Sequence, residues 1–482
     1  MDLRQRIQAM SIPVTATIRQ AMQAVDRGAL GLALLVEHKT KRFVGLVTDG
    51  DIRRALLNGY GLESPVAEVP RPKSKVAQAG MTADKIATLF TEPVRVIPLL
   101  NDDGQVVDLA HLDRRVRLPV AEPSMGEKEL LYVSECVLTG WVSSAGKFVT
   151  RFEEIFANFC NTKYAVAVTN GTAALHLTMV AMGIGPEDEV IIPTLTFIAT
   201  ANAVTYTGAK PIFVDSEKDS WNIDPREIEN AVTPRTKAIV PVHLYGHPAE
   251  MDPIMEIAHR YGLIVIEDAA EAQGALYKGK KVGSIGQAGC FSFFANKVIT
   301  TGEGGMIVSD DENFIKKARL LRDHGMSPDR KYWHEYIGYN YRLTNLQAAI
   351  GVAQMEKIDV ILNRKREIAQ KYKDLLKDVQ GIILPIEKEW VRSIYWLFTF
   401  LIDEDYYHIR RDVVMESLNN NGIEVRPVFY PIHQMPPYKV DKHLPIAEKI
   451  SRTGISLPSS ITLEDDELQH TTSIIKSILL NQ

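Results

Sequence analysis

From about residue 164 onward, the chain alternates short, wholly apolar runs with longer amphipathic ones. YAVAVTN precedes TAALHLTMVAMG, EVIIP precedes TFIATANAVTYTG, KPIFVD precedes DPREIENAV, and LIVIEDA is followed later by CFSFF and GGMIVSDD. Short runs that are apolar throughout are typical of strands buried on both faces, and the longer runs between them are typical of helices. The pattern therefore predicts an α/β fold with a large mixed, mostly parallel sheet covered by helices on both faces.

The chain changes character near residue 118. The segment RVRLPVAEPSMGEKELLY is rich in turn residues, and a helical period follows it. Residues 345–376 have a helical pattern, and WLFTFLID and IEVRP in the last hundred residues indicate a smaller α+β domain. The predicted organisation is an N-terminal domain at 1–112, a linker at 113–119, a large domain at 120–362 and a small C-terminal domain at 363–482.

The first 112 residues contain two weakly similar units, ALGLALLVEHKTKRFVGLVTDGDIRRALL and EPVRVIPLLNDDGQVVDLAHLDRR. Each pattern predicts strand, turn, strand and helix start, a small repeat that needs its sibling to bury its open face. The first unit resembles a CBS motif and the second a degraded one, so together they resemble a CBS pair. That resemblance implies that Thr48 and Asp51 hold the phosphate and ribose of an adenine nucleotide. The same residues also fit an ordinary helix N-cap, so both interpretations stay open.

Composition excludes several classes of protein. The 482 residues carry a formal charge of −5, which offers no basic face for nucleic acid. Three widely spaced cysteines indicate neither a disulfide framework nor a structural zinc site, and they favour a reducing cytoplasm. No stretch has the roughly 18 consecutive apolar residues of a membrane span, and the N-terminus lacks the pattern of a signal peptide. We therefore expect a cytoplasmic protein without metal, membrane or nucleic-acid partners.

Polar residues follow three predicted strands at their carboxyl ends, where ligands gather in open α/β sheets. They are Asn170, Gly171 and Thr172 after YAVAV, Glu267 and Asp268 after LIVI, and Ser292, Asn296 and Lys297 in CFSFFANK. A glycine at a helix start suits an anion, because the helix dipole and the free amides both favour negative charge. A lysine in an apolar setting has a lowered pKa and is a better nucleophile toward a carbonyl.

Each of these features also has a structural explanation. The Asn-Gly-Thr turn can be a helix cap, the paired carboxylates can belong to a salt bridge, and the lysine can be exposed. Together, however, a phosphate cradle, an acid for a pyridinium nitrogen and a nucleophilic lysine are what pyridoxal phosphate requires of a protein. The sequence therefore predicts a pyridoxal phosphate site.

Residues 118–480 resemble the DegT-type nucleotide-sugar aminotransferases. The matching stretches include GWVSSAGKFVTRFE, NGTAALHL, PTLTFIATANAV, PVHLYGHPAEMD, IEDAAEAQGA, FSFFANKVITTGEGG and GYNYRLTNLQAAIG, in this order. The resemblance implies the fold-type I architecture of pyridoxal phosphate enzymes and a homodimer with shared active sites. A branch of the family that dehydrates sugars has histidine in place of the lysine, so Lys297 favours transamination.

The resemblance also implies a role for individual residues. Lys297 would carry the cofactor on its amine and move protons, and Asp268 would pair with the pyridine nitrogen. Glu271 would lie near the phenolic oxygen, where many relatives have glutamine. The other implied contacts are Gly171, Thr172 and Ser292 to the phosphate, Asn340 from the partner subunit and Phe197 stacked on the ring. Phe197 also fits ordinary core packing. Sugar contacts expected from neighbourhood alone are Trp141, Ser143 and Tyr332.

The implied reaction transfers an amino group from L-glutamate to C4 of a nucleotide-linked 4-keto-6-deoxy sugar. FSFFANKVITTGEGGMIVSDD and GMSPDRKYWHEYIGYNYRLTN resemble the branch that aminates GDP-4-keto-6-deoxymannose. GWVSSAGK and TLTFIATANAV are similar to enzymes of UDP-linked 4-keto-6-deoxy-N-acetylhexosamines, the alternative substrate class. The product would serve O-antigen or another surface polysaccharide. A hypothesis of another class is a nucleotide-sensing regulator with an inactive aminotransferase domain, and the N-terminal units can also serve assembly alone.

Overall fold

A computed structural model of the chain describes residues 3–28, 31–71, 73–81, 85–86, 89–90, 96–111 and 118–480. Contacts divide the chain into two compact units, Met1–Val116 and Arg117–Gln482. The linker predicted at 113–119 lies mostly outside the described residues. The boundary predicted between 362 and 363 falls within the helix Ile358–Leu376, and this division stays a prediction.

The first unit contains two three-stranded sheets of the same topology. In each, the first strand is parallel to the second and the second is antiparallel to the third. The strands are β1 Ser11–Pro13, β2 Leu32–Val36 and β3 Phe43–Thr48 in one sheet, and β4 Ala77–Gln78, β5 Val96–Leu100 and β6 Val106–His111 in the other. The helices bounded within its described residues are α1 Leu3–Met10, α2 Ile18–Gly28 and α3 Asp49–Leu57. Leu32, Leu34 and Val96 share one apolar cluster, so each repeat covers apolar surface of its sibling, as the sequence predicts.

The second unit is built around a seven-stranded sheet of order β7-β15-β14-β11-β10-β8-β9. Its strands are β7 Tyr164–Val168, β8 Glu189–Pro193, β9 Lys210–Val214, β10 Thr236–Ile239, β11 Ile264–Asp268, β14 Ala288–Ser292 and β15 Gly305–Ser309. Within this sheet β15 alone is antiparallel to its neighbours. The predicted mixed, mostly parallel sheet is therefore confirmed, and most of its strands are buried on both faces.

Twelve helices within residues 118–480 cover this sheet and build the C-terminal part. They are α4 Glu127–Thr139, α5 Lys147–Cys160, α6 Gly171–Ala181, α7 Ala199–Tyr206, α8 Pro225–Ala231, α9 Met251–Tyr261, α10 Glu312–Arg322, α11 Asn345–Met355, α12 Ile358–Leu376, α13 Arg411–Asn420, α14 Pro445–Thr453 and α15 Asp465–Leu480. Two smaller sheets complete the unit, with strand orders β16-β18-β20-β19 and β13-β12-β17. Their strands are β12 Leu276–Tyr277, β13 Lys280–Lys281, β16 Ile382–Ile383, β17 Val391–Arg392, β18 Phe398–Ile402, β19 Arg426–Pro427 and β20 Gly454–Leu457.

Helix α5 fixes the strand that leads into the candidate catalytic lysine. Its buried Phe152 and Phe156 are four residues apart, so they lie on one face of the helix. The Phe156 ring lies 4.9 Å from that of Phe291 in β14, and the Phe152 ring lies 5.0 Å from that of Phe293. Burial of each of these rings stabilises the fold by about 1.5–3 kcal/mol. The apolar repeat of α5 thus anchors β14 and the turn after it.

No helix in the described part of the chain is both long and apolar enough to span a membrane.

Candidate active site

The carboxyl ends of β7, β11 and β14 lie at one edge of the large sheet, because these three strands run in the same direction. Asp268 is the last residue of β11 and Ser292 is the last residue of β14. The antiparallel strand β15 begins at this edge with Gly305, which pairs with both Ser292 and Val168. The topology therefore brings the three polar strand ends of the sequence to one place.

The turn between β7 and α6 has the form of an anion site. The side chain of Asn170 accepts from the N–H of Ala173 at 2.8 Å and so caps the helix. The N–H groups of Gly171 and Thr172 have no acceptor among the described residues, which leaves them free for a ligand. A Cβ on Gly171 would lie 2.8 Å from Cβ of Ser292. Glycine thus lets Ser292 approach the helix start, and the two predicted phosphate-binding elements are in contact.

Asp268 is buried and held by two donors. Thr200 Oγ1 donates to one carboxylate oxygen at 2.8 Å, and the N–H of Ala270 donates to the other at 3.2 Å. Burial raises the pKa of Asp268, and these hydrogen bonds and the charge of Lys297 oppose the shift. A buried carboxylate of this kind gains most from a cationic N–H donor, which a pyridinium ring supplies.

Glu267, the neighbour of Asp268, has a different task. Successive side chains of a strand point to opposite faces, so the two carboxylates enter separate surroundings. Glu267 accepts from the N–H groups of Gly283, Ile285 and Gly286, each at 2.7 Å, and lies 3.0 Å from His243. Glu267 therefore anchors a backbone turn, and only Asp268 is available for the cofactor.

The amine of Lys297 lies close to an acid and an aromatic face. Its side chain is 11% exposed, and Nζ lies 3.9 Å from Glu271 Oε1. Nζ also lies 3.8 Å from the centre of the Trp396 ring. Burial lowers the pKa of Lys297, while the charges of Glu271 and Asp268 act in the opposite direction. An amine with a lowered pKa is suited to attack a carbonyl and to exchange protons near neutral pH.

Glu271 faces this amine from a buried position. The N–H of Tyr245 donates to Glu271 Oε2 at 2.8 Å. Burial raises the pKa of Glu271 to about 7, although Lys297 and the hydrogen bond from Tyr245 pull it down. The raised pKa of Glu271 and the lowered pKa of Lys297 bring the proton affinities of the two groups closer together, which favours proton exchange between them.

Phe197 and Asn340 are the remaining residues predicted to hold the cofactor. Phe197 is exposed, and its carbonyl accepts from the N–H of Thr200 at 3.3 Å, so the residue belongs to the turn that also supplies the donor to Asp268. Asn340 accepts from Arg342 Nε at 3.1 Å. The next residue, Tyr341, accepts from the N–H of Thr169 at 3.0 Å, beside the anion turn of the same chain. The stacking of Phe197 and the reach of Asn340 from a partner subunit stay predictions.

The three residues expected to contact the sugar are exposed. The carbonyls of Trp141 and Ser143 accept from Asn345 at the start of α11, each at 2.7 Å. Tyr332 has a backbone φ of 63° in an exposed turn. No contact within the described residues joins these three to Lys297, Asp268 or Glu271, and their role also stays a prediction.

In the first unit, Thr48 and Asp51 form a closed helix cap. Asp51 Oδ2 accepts from the N–H and the hydroxyl of Thr48 at 3.0 and 2.7 Å, and Thr48 Oγ1 accepts from the N–H of Asp51 at 3.1 Å. Arg54 donates to the other oxygen at 2.6 Å. The geometry is that of a capping box, the simpler of the two interpretations, and a nucleotide contact here stays a prediction.

The residues of the strand edge fit pyridoxal phosphate. The free amides at Gly171 suit a phosphate, Asp268 suits a ring N–H, and Lys297 suits an aldehyde carbon. Two further side-chain atoms, Gln273 Oε1 and Asn296 Oδ1, are buried and have no partner within the described chain. Asn296 precedes Lys297 in the sequence and Gln273 donates to the carbonyl of Ser292, so both acceptors lie beside the predicted cofactor residues.

Sequence reasoning missed Thr200, Tyr245 and Trp396. Thr200 lies in an amphipathic run, where a threonine signals only a helix. Tyr245 contributes its peptide group at a backbone φ of 51°, and side-chain patterns do not report backbone geometry. Trp396 begins WLFTFLID, which predicts a strand and nothing more, although a buried tryptophan usually needs a partner for its indole N–H.

The comparisons with known proteins agree with this geometry. Residues 123–476 match the DegT/DnrJ/EryC1/StrS aminotransferase family, and residues 5–58 match the CBS domain. The GDP-perosamine synthase of Caulobacter vibrioides is 47% identical over 367 residues, 76% of this chain and 99% of that protein. The GDP-perosamine synthase of Escherichia coli O157:H7 is 47% identical over 354 residues, 73% of this chain and 95% of that protein.

Two solved structures extend these similarities. DesV of S. venezuelae has a TM-score of 0.69 and 35% identity, over 73% of this chain and 94% of that one. A putative sugar aminotransferase of Streptococcus pneumoniae, solved in its PLP form, has a TM-score of 0.71 and 26% identity, over 76% and 99% of the two chains. The predictions of an enzyme, of the fold-type I architecture and of pyridoxal phosphate are confirmed. The chain is a sugar aminotransferase and belongs to the DegT/DnrJ/EryC1/StrS aminotransferase family.

Proposed function

We propose that this enzyme transfers the amino group of L-glutamate to C4 of GDP-4-keto-6-deoxymannose and so forms GDP-perosamine. The observation that carries the chemistry is the placement of the nearly buried Lys297 amine 3.9 Å from Glu271, beside the strand edge that holds Asp268. Support for the sugar comes from relatives: the proteins from C. vibrioides, E. coli and Vibrio cholerae that are named GDP-perosamine synthase are 42–47% identical to this chain.

The bound cofactor supplies an electron sink for the negative charge that develops when a proton leaves the carbon bearing the transferred nitrogen. The residues of this chain would do the rest. The Lys297 Nζ would accept that proton and return it to a neighbouring carbon, a transfer that a lowered pKa favours. Glu271 holds the lysine amine in place and accepts or returns a proton at Nζ, because its pKa of about 7 lies near working conditions.

The remaining residues would hold the cofactor and keep its charge state. Asp268, fixed by Thr200, would pair with the ring nitrogen and favour its protonated form through a charge-assisted hydrogen bond. The helix start at Gly171 and Thr172, with Ser292 beside it, would bind the phosphate. Phe197 would stack on the ring from its exposed turn.

We further propose that a second copy of this chain completes the site. Helix α4 exposes four large apolar side chains, which is unusual for a surface that stays in water. These are Leu130, Leu131, Val137 and Leu138. The neighbouring Trp141 is exposed as well, so the apolar surface continues toward the residues proposed to contact the sugar. A symmetric dimer would cover this surface and place Asn340 of each copy at its partner's phosphate site.

For the first unit we propose that Thr48 and Asp51 serve mainly as a helix cap. Their mutual hydrogen bonds support this reading, because a nucleotide would have to displace three of them. Calorimetry with adenine and guanine nucleotides on the whole protein tests the proposal. If a nucleotide binds the native protein and binding is lost in Asp51→Ala, a regulatory nucleotide site would be the better interpretation of these residues than a helix cap. If neither nucleotide binds, assembly remains the better account of this unit.

The proposed reaction is tested by rapid mixing in two stages. L-Glutamate should abolish the long-wavelength absorbance band of the bound cofactor, and GDP-4-keto-6-deoxymannose added after removal of glutamate should restore it. Restoration by a UDP-linked 4-keto-6-deoxy-N-acetylhexosamine alone would keep the aminotransferase and replace the sugar. No response to glutamate would refute the proposed amino donor.

A further inference from the structure

Lys365 is a buried lysine for which the reaction described above gives no task. It lies on helix α12 and is 5% exposed. Its Nζ donates to two backbone carbonyls, those of Trp396 at 2.8 Å and Ser459 at 2.6 Å. Within the described residues no carboxylate pairs with it. Burial lowers the pKa of Lys365 to about 7, so its amine can be neutral, with two N–H groups for two acceptors.

If Lys365 served folding alone, its burial would cost free energy that an apolar residue would not. An apolar side chain of similar length would fill the same space without removing an amine from water. The hydrogen bonds to the two carbonyls justify the cost of burying Lys365 only if the position of the Trp396 and Ser459 segments is important for function. One follows β20 and the other precedes β18, so Lys365 joins α12 to the ends of two neighbouring strands.

One of these segments carries the aromatic ring beside the catalytic amine. Every polar group of Trp396 has a partner: its Nε1 donates to Asn296 at 2.7 Å, its N–H donates to Tyr245 at 3.0 Å, and its carbonyl accepts from Lys365. The face of the indole lies 3.8 Å from Lys297 Nζ. Lys365 and Lys297 also line one small cavity.

The ring of Trp396 is the end of an aromatic column formed by Trp396, Tyr245 and Phe429. Trp396 and Tyr245 stack at 6.0 Å with an angle of 17° between their planes, and Tyr245 and Phe429 stack at 5.5 Å and 8°. Tyr245 also donates its N–H to Glu271, the acid that faces Lys297. The left-handed backbone of Tyr245 is strained for a bulky residue, and strain of this kind persists where the surroundings enforce it. Both neighbours of the Lys297 amine are thus held by one column.

We propose that Lys365 is a positioning residue for the Lys297 amine and acts through Trp396. Lys365 fixes the peptide of Trp396 and so holds its indole ring in place. The amine of Lys297 rests on this ring whenever it is not joined to the cofactor. The indole face attracts the protonated amine and keeps it near the reacting carbon. This inference rests on the proposed catalytic role of Lys297 and does not depend on which sugar is the acceptor.

A double-mutant cycle tests the route from Lys365 to Lys297. Lys365→Met keeps the apolar stem and removes both hydrogen bonds, and we expect it to slow the half-reaction with L-glutamate about tenfold, with little change in KM. Trp396→Leu should slow it at least as much. In the Trp396→Leu background, Lys365→Met should have no further effect, because the ring through which it acts is gone. Two independent, multiplicative losses would overturn the proposal.

A matched control separates this effect from general damage to α12. Lys373 lies on the same helix, and its Nζ donates to Tyr395 Oη at 2.8 Å, next in sequence to Trp396. Lys373→Met removes a lysine contact of similar kind without freeing the Trp396 peptide, and we expect a rate within about twofold of the native enzyme. An equal loss in both variants would mean that Lys365 is merely structural.

Chemical labelling of the cofactor-free protein gives a readout that needs no turnover. At pH 9, above the pKa of about 7 of Lys365, we expect Lys365→Met to raise the rate of acetylation of Lys297 by acetic anhydride about threefold, followed by mass spectrometry. The reason is that a displaced indole stabilises the protonated amine of Lys297 less, so a larger fraction of the amine is neutral and reactive, while Glu271 and Asp268 still face it. Trp396→Phe, which keeps a smaller aromatic face, should have an intermediate effect. An unchanged rate in folded Lys365→Met refutes the proposal, whether or not L-glutamate reacts with the native enzyme.

Discussion

Two strand-to-helix turns of this protein begin from similar sequence signals and reach opposite outcomes. In the first unit, Thr48 precedes α3, and the carboxylate of Asp51 returns to the N–H and hydroxyl of Thr48. In the second unit, Asn170 precedes α6, and its side chain satisfies the N–H of Ala173 alone. The first turn is closed by its own acid, whereas the second leaves the amides of Gly171 and Thr172 for an anion.

The difference shows how one residue decides the use of a helix start. A carboxylate at the third position of a helix occupies the positive end of the dipole and competes with any phosphate. Glycine at the first position has no side chain to compete, and it admits a neighbouring strand end, here Ser292. A helix start with the sequence of a binding motif is therefore open to an anion only where no side chain of the protein already occupies it.

The largest effect should come from removing the amine of Lys297, which lies at the same edge of the sheet as the open turn at Gly171. Lys297→Ala should fold normally and lose turnover by at least about a thousandfold, because the group that moves the proton is gone. Lys316→Ala is the control, since Lys316 is an exposed lysine paired with Glu312 on α10. Steady-state assays of both variants give the comparison, and a Lys297→Ala rate above a tenth of the native rate would refute the proposed catalytic role of Lys297.

The open turn itself can be closed by one methyl group. Gly171→Ala places a Cβ 2.8 Å from Cβ of Ser292, so one of the two elements proposed to bind the phosphate must shift. We expect the affinity for pyridoxal phosphate to fall about tenfold, or about 1.4 kcal/mol, in titrations of the cofactor-free protein. Gly185→Ala is a matched control, because its nearest neighbour would be 3.9 Å away. Equal affinities of the two variants would show that Gly171 does not line the phosphate site.

The closed turn should instead respond in stability. Asp51→Ala removes a nearly buried capping carboxylate, and we expect it to lower the free energy of unfolding of the first unit by about 1 kcal/mol. Asp49→Ala on the same turn removes an exposed carboxylate paired with Arg53 and should cost about 0.3 kcal/mol. Thermal unfolding of both variants gives the comparison, and it would be contradicted by equal losses.

A last effect is a pH dependence of the stability of the second unit, which arises from Lys365. Its pKa is about 7 in the fold against an ordinary value of 10.5, so between these pH values the unfolded chain binds a proton that the folded chain does not. The stability contributed by Lys365 therefore rises with pH across this window. Relative to the native protein, Lys365→Met should be most stable at pH 7 and below, and the Tm of the variant minus that of the native protein should fall by about 5 °C toward pH 10. A constant difference would mean that Lys365 does not titrate in this range.

Much of the site could be predicted from the sequence because it depends on local signals. Strands of apolar runs followed by Asp268, Ser292 or Gly171 place those residues at the carboxyl ends of the sheet, whichever helices cover it. Lys297 could be identified in the same way, from an amine between an aromatic run and a glycine-rich turn. The strand order could not be predicted, yet any parallel arrangement brings these ends to one edge.

Other parts of the site depend on contacts between distant segments. The sequence presents Glu267 and Asp268 as an equivalent pair, and only the turn at Gly283–Gly286 distinguishes the anchor from the free carboxylate. Trp396 lies about a hundred residues beyond Lys297, so no spacing rule connects the indole to the amine. Lys365 sits in an ordinary helical pattern with neighbouring basic residues, where an exposed side chain is the usual expectation.

By itself, the sequence determined the class of fold, and it predicted the edge of the sheet where chemistry is proposed and the residue types proposed to hold a cofactor there. These follow from periodicity and from groups that are near one another along the chain. The tertiary structure decided which acid stays free, that Asp51 is already satisfied, and that Lys297 rests on Trp396. The physical reason is that burial and hydrogen-bond partners across long stretches of chain set the charge and position of each group, and a linear pattern does not contain them.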